Sequence, residues 1–455
     1  MPCCVCGAEF WDDNQNPLIT DIEGDEYCIL HAPIEYKDHE DLMNVVWERI
    51  NCVFEKNLDK PQDEYETCSL DYTVFGEFSD FCGLKFPKTN FYKAIFSVVD
   101  FSGSEFCSDM GFEFAVFKSQ ACFIGAEVRD GGSLDYSYCV FQDEAIFQSA
   151  VFDGYVSFFR TTFEKNAEFT YSKQNMTPLS PTITFREAMF IEASLFLSVD
   201  YKSITCFDRT HFCAESDFTK SKFGGVSFRN CIFEEQAVFD RVDLRRTQLI
   251  GAPVEKIRFI ACVWPIYKNK RIVFDSGVSF RGRGYFRIEN IGPIGLQPKG
   301  PPPEQLADLF RRLKKVAQQE QDQTLASDFH YGEKEMRRMK ALELSSGDGG
   351  KLSEFGVYAL LSIYKLCSGY GEAPFRALFA LVFFIFLPFA VVCGFDFAIP
   401  VAGPFPNWIH FIPLVKLPSL EKVSNISILL MITSQVVISL QAALAGFALR
   451  NRFRR

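Results

Sequence analysis

Residues 185–212 read FREAMFIEASLFLSVDYKSITCFDRTHF, and the large side chains Phe185, Phe190, Phe196, Tyr201, Phe207 and Phe212 stand five or six residues apart. The step continues through Phe218, Phe223, Phe228, Phe233 and Phe239 to Leu244 and Leu249. Upstream it is present at Phe91, Phe96, Phe101 and Phe106, then at Phe112, Phe117 and Phe123, and again from Phe141 through Phe147, Phe152, Phe158 and Phe163 to Phe169. Two residues ahead of a large side chain there is frequently a small or branched one, as at Ala188, Thr210, Ala237 and Thr247. Neither ordinary period produces this pattern. A helix requires apolar residues at three and four, and a strand alternates at two. A five-residue step drifts by about 140° around an α-helix, so no single apolar face results. A chain that turns a corner after each short segment can point every ring at one axis. The position two before the ring then also points inward, near a corner, where space is small.

On these residues the sequence resembles the pentapeptide-repeat family, whose members fold as right-handed quadrilateral β-helices with four short faces per coil. Segments Phe91 to Phe106 and Phe185 to Leu249 carry the resemblance, and a looser, Phe-rich pattern extends it over residues 75–290. It implies a mainly-β solenoid, with roughly eight coils of about twenty to twenty-two residues each over residues 75–250. Residues Lys173 to Thr184, with Pro178 and Pro181, interrupt the pattern and read as an outward loop, and Gly131 to Ser137 read as a second irregularity. Each buried ring is worth roughly 1.5–3 kcal/mol, so a central Phe should matter far more than the outward Lys220.

Composition agrees with a long aromatic column. The chain has 455 residues and 50 Phe, with 47 Lys plus Arg against 58 Asp plus Glu, a formal charge of -11. Residues 1–300 carry a net charge of -15 and residues 301–455 a net of +4. An acidic front disfavours direct nucleic-acid binding, which needs a basic surface. The 16 Cys are scattered, and the polar, acidic start has no secretory signal, which together indicate a reducing environment for the front region.

At the start, Cys3, Cys6, Cys28 and His31 have the spacing of a Cys3His zinc knuckle within residues 1–45, with Cys4 as an alternative to Cys3. Four protein ligands leave no open position, so such a site is structural. Residues 46–74 read as a linker or an N-terminal cap of the solenoid.

Beyond the repeat, Gly292-Pro293 and Pro301-Pro302-Pro303 mark a boundary. Leu306, Leu309, Phe310, Leu313 and Val316, followed by Leu325, Phe329, Met336 and Met339, predict an α-helical hairpin over 301–345. His330, Glu333 and Glu335 lack the partner histidine of a metal site and read as hairpin packing. An amphipathic juxtamembrane segment occupies 351–374. Residues 375–455 then predict two transmembrane helices, Ala377 to Phe395 and Ile426 to Leu449, each near the length of the hydrocarbon layer. Lys365 and Arg376 before the first, and Arg450, Arg452, Arg454 and Arg455 after the second, place both termini on the cytoplasmic side.

Enzyme motifs are absent: there is no Walker loop, dinucleotide fingerprint or Gly-x-Ser-x-Gly elbow. The resulting expectation is a non-catalytic, membrane-tethered scaffold presenting an acidic β-helix to an unidentified protein partner. Its partners would be the lipid bilayer, that protein and a further copy of the chain as a homo-oligomer. Two other readings stand beside it. One is the regulatory domain of a two-span channel or transporter, although no Thr-x-Gly-Tyr-Gly filter follows the first span and Gly369-Tyr370-Gly371 precedes it. The other is a DNA-mimicking topoisomerase-protection protein, as the resemblance implies for some family members.

Overall fold

The computed structural model describes residues 18–58, 60–129, 131–175, 182–276, 301–346, 352–394, 407–413 and 425–453. They form two compact units, Met1–Pro301 and Pro302–Arg455. The first is a β-solenoid of about eight coils whose successive coils pair in parallel.

Three columns of rings fill its interior. The first is Phe75, Phe96, Phe117, Phe141, Phe163, Phe190, Phe212 and Phe233, stacked face to face with centroids 4.4 to 5.1 Å apart. The second climbs from Phe81 through Phe101, Phe123, Phe147, Phe169, Phe196 and Phe218 to Phe239. The third comprises Phe91, Phe112, Tyr136, Phe158, Phe185, Phe207 and Phe228. Rings of different columns meet edge-on, as Phe196 does with Phe207 at 5.2 Å and 86°. Stacking along a column and edge-to-face contact across it are the two arrangements that the ring quadrupole favours.

The fourth column is interrupted. It starts with Phe86 and Phe106, continues through Val128 and Phe152, and then places buried Gln174 between Phe152 and Tyr201. Phe223 follows beyond Tyr201, in contact with it at 6.0 Å but only half-buried. The expectation that Phe223 lines the interior as fully as Phe207, Phe212 and Phe218 is therefore corrected: those three are buried and Phe223 is at the margin. Gly224 and Gly225 after it keep the chain tight, since a Cβ on Gly224 would lie 2.0 Å from the Lys202 carbonyl oxygen.

The small residue ahead of each ring has a second task. Thr161 and Thr210 are buried and donate from Oγ1 to the carbonyls of Tyr136 and Phe185 at 2.6 Å, and Ser104 donates to Phe81 at 2.8 Å. Each of these corner carbonyls already accepts an amide of its own turn, from Cys139, Ala188 and Leu84, and so gains a second donor from the next coil. Ala188, Ala237 and Thr247 are buried as the spacing predicts.

Two corners of each coil are left-handed. One ladder runs through Tyr72, Lys93, Phe114, Tyr138, Arg160, Glu187, Arg209 and Asn230, with φ between 53° and 62°. The other begins with Gly83, Gly103 and Gly125 and continues with non-glycine residues, among them Ser149, Tyr171, Ser198 and Lys220. Nothing lies within 4 Å of the site of a Cβ on Gly103. Gly103→Ala is therefore expected to cost about 1 kcal/mol from backbone strain alone, measurable by chemical denaturation. A loss above about 3 kcal/mol would contradict an open corner.

Both ends of the solenoid are covered. Leu30 accepts the Val74 amide at 3.1 Å, and helix α1 (His39–Asn57), capped by Asp38, lies against the first coil through Leu42, Val46 and Ile50. At the other end the buried carboxylate of Asp275 accepts the Leu249 amide at 2.9 Å, where a further coil would have offered a carbonyl.

The second unit is helical. Helices α2 (Pro303–Gln319) and α3 (Gln323–Ser346) form the expected hairpin, with the Phe310 ring seated over Gly332, where any Cβ would approach it to 2.6 Å. Helix α4 (Leu352–Ser368) follows, then the turn Gly369-Tyr370-Gly371, α5 (Pro374–Gly394) and α6 (Asn425–Phe453). Ala377 of α5 packs on Ala445 and Ala448 of α6, and Gln441 donates to the Ala377 carbonyl at 2.8 Å.

The two-span expectation is corrected here. Among the described residues one helix is long and apolar enough to cross a bilayer, Ile428–Asn451, with a mean hydropathy of 2.0. Within α5, the stretch Pro374–Leu387 passes only as a shorter apolar segment, about 21 Å of a roughly 30 Å layer. Residue 395, the end of the expected first span, lies outside the described residues. A two-pass topology with both termini on one side therefore has no support. The fold class is a mainly-β solenoid followed by several helices, one of them of membrane length.

Candidate functional site

The expected zinc knuckle is only half placed. Cys3, Cys4 and Cys6 lie outside the described residues. Cys28 and His31 are buried at the N-terminal end of the solenoid, with Sγ 3.0 Å from Nδ1. The other ring nitrogen of His31 meets the Asp71 carbonyl at 2.8 Å, tying this segment to the first coil. Among the described residues, the group able to hold a metal ion is in mid-chain rather than at the N-terminus: His211, Cys213 and Glu234.

That group follows from strand geometry. His211 and Cys213 flank the inward Phe212, so both face outward, and Glu234 follows Phe233, the register partner of Phe212 on the next coil. The three donor atoms lie within 4.8 Å of one another, and His211 Nε2 is 2.6 Å from Glu234 Oε1. Burial, and then the Glu234 carboxylate, push the Cys213 thiol pKa up. The repeat register contains this trio, but it becomes visible only when the coil length between Phe212 and Phe233 is known.

A larger feature is an aromatic and cationic ridge along the first left-handed corner. Each third-column ring is followed by one or two outward side chains: Tyr92-Lys93 after Phe91, Phe114 after Phe112, Tyr138 after Tyr136, and Phe159-Arg160 after Phe158. Backbone bonds between coils, such as Tyr138 N to the Phe159 carbonyl at 2.8 Å, hold them in line. Tyr72 meets Tyr92 edge-on at 5.6 Å, Tyr92 meets Phe114 at 5.7 Å, and Phe114 stacks on Tyr138 at 4.7 Å. Lys93 lies over Tyr72 and Tyr92, and Arg160 lies 5.1 Å from the centre of Phe159. Arg186 covers the same ring. Glu187 ties Arg160 at 2.7 Å and Arg209 at 3.3 Å, and the Arg160 hydrogen bond, against burial, holds its carboxyl below the usual range. Tyr72, Phe114 and Tyr138 remain 36 to 43% exposed. The sequence signal was present in the two positions after each third-column ring, masked by the stronger repeat.

In the helical unit, the carboxylates of Glu333 and Glu335 serve packing. Glu333 pairs with Lys314 and Arg337, while Glu335 joins Arg338 and Lys365. Burial, then Lys314 and Lys334, lower the His330 pKa to about 4, which keeps this ring neutral.

No family model matches the chain, and no curated protein matches it. This overturns the family assignment that the repeat spacing suggested. The stacked coils make the architecture a β-solenoid, while membership of the pentapeptide-repeat family has no support, and among the described residues the candidate metal group is mid-chain rather than N-terminal.

Proposed function

We propose that the protein is a non-catalytic scaffold, anchored in a bilayer by one helix and binding a protein partner along its solenoid ridge. A β-solenoid joined to a helical region with one membrane-length helix is consistent with a structural role. The observation that carries the finer reading is the ridge: aromatic faces and guanidinium groups, the side chains most enriched at binding hot spots, held in register by the coil backbone. Rings already ordered by stacking lose little side-chain freedom on binding, which favours affinity. The exposed Leu429, Leu430, Val436 and Leu440 of α6 give the anchor an apolar outer surface. The partner face would be rich in carboxylate and aromatic groups, complementing Lys93, Arg160, Arg186 and Arg209.

The test is crosslinking from a photoreactive residue at Phe114 in membranes, compared with a Tyr138→Ala, Arg160→Ala double variant. The wild-type ridge should give a defined adduct. The double variant should weaken binding by about thirtyfold or more, as loss of about 2 kcal/mol at hot spots implies, with little change in unfolding midpoint. An unchanged adduct, or crosslinks obtained only from the helical unit, would refute the ridge as the binding surface.

A further inference from the structure

We propose that His211, Cys213 and Glu234 form a zinc site, with three protein donors on the solenoid face and a water completing the tetrahedron. The donor set is one imidazole nitrogen, one thiolate sulfur and one carboxylate oxygen. That mixture suits zinc, which accepts all three at about 2.0–2.3 Å, and fits poorly with the all-oxygen shells of magnesium or calcium. With a thiolate and a carboxylate, the doubly charged ion gives a neutral site.

The backbone holds the donors in place. His211 N bonds the Ala188 carbonyl, Cys213 N the Phe190 carbonyl and Glu234 N the Phe212 carbonyl, all at 2.8 to 2.9 Å. Buried Phe212 and Phe233 pin the two strands from inside. Donors around a tetrahedral zinc are about 3.3–3.8 Å apart, so a span of 4.8 Å closes by side-chain rotation alone. The short contact between His211 and Glu234 opens as the metal takes the place of the proton between Nε2 and Oε1. Met189 and Ile232 are the register neighbours of His211, and both are exposed apolar groups, so the trio is flanked by apolar rather than competing charged side chains at these two positions. Lys256 is drawn to the Glu234 backbone carbonyl at 3.0 Å and leaves the carboxylate to the ion.

The experiment is zinc titration of the full chain in detergent, with cobalt as a spectroscopic probe. The wild type should bind one more equivalent of zinc than Cys213→Ser, whatever metal is held elsewhere in the chain. The thiolate-to-cobalt absorption assigned to this equivalent should vanish in the same variant. His211→Gln and Glu234→Gln should weaken that equivalent by tenfold or more. All three positions face outward, so circular dichroism of each variant should match the wild type. Equal zinc stoichiometry in the wild type and Cys213→Ser would overturn the site, as would a cobalt band indifferent to Cys213.

Discussion

Phe212→Ala is expected to destabilise the solenoid by about 3–5 kcal/mol, the range for removing a fully buried aromatic ring. The ring has no exposed surface and stands between Phe190 at 5.1 Å and Phe233 at 4.8 Å, with Phe218 edge-on at 6.1 Å. Parallel coils above and below are fixed by hydrogen bonds, so the cavity cannot collapse. Each coil touches only its neighbours, so hydrogen exchange should rise most in the coils flanking Phe212. Lys220→Ala, at an outward corner, should stay within about 0.5 kcal/mol. Phe223→Ala should fall between, because that ring is only partly buried. Comparable losses for Phe212→Ala and Lys220→Ala would reject the register.

Glu335→Ala should be the costliest polar substitution in the helical unit, at about 3–5 kcal/mol. Its carboxylate accepts from Arg338 and Lys365 at 2.8 Å and from the buried Tyr370 hydroxyl at 2.9 Å, joining α3, α4 and the turn before α5. Removing the anion strands the fully buried Tyr370 hydroxyl and the largely buried Arg338 guanidinium away from water. Burial raises the Glu335 pKa, but hydrogen bonds from Arg338, Lys365 and Tyr370 outweigh it and bring the value down to about 2. A lowered folded pKa stabilises above the unfolded value, near 4.3, and that stabilisation is lost as pH falls toward 2. Melting of the helical unit should therefore drop between about pH 4.5 and 2 in the wild type and much less in Glu335→Gln. Parallel pH profiles for the two would show that this carboxylate does not hold the helices. Lys365 is about one-third exposed, so it contributes less than Arg338.

The spacing of the rings made the solenoid legible because a corner-turning coil is the arrangement that gives a sustained five-to-six step a common interior. Ala188, Thr210, Ala237 and Thr247 were legible for the same reason. The incomplete burial of Phe223 was not, since the five-to-six step is the same there as at the fully buried rings. The left-handed corners were also hidden, because Lys93, Arg160, Glu187 and Lys220 occupy positions that φ preference assigns to glycine. The ridge and the His211, Cys213, Glu234 trio join residues twenty or more apart, and their proximity depends on the length of each coil. Hydropathy marked two spans, whereas among the described residues Ile428–Asn451 alone is a helix long and apolar enough to cross a bilayer. Gly369-Tyr370-Gly371 has a role that motif reading missed: its three left-handed residues turn the chain while Tyr370 is inserted beside Glu335.

Spin-label distances along one face test the stacked coil most directly. Val116, Val140, Thr162, Met189, His211 and Ile232 are successive register partners. Adjacent strands lie about 4.8 Å apart, so labels at Val116 and Met189 should be separated by about 14 Å of backbone, and labels at Val116 and Ile232 by about 24 Å. A separation that grows in proportion to coil number is the predicted result. Distances that level off, or that fall between Met189 and Ile232, would contradict it.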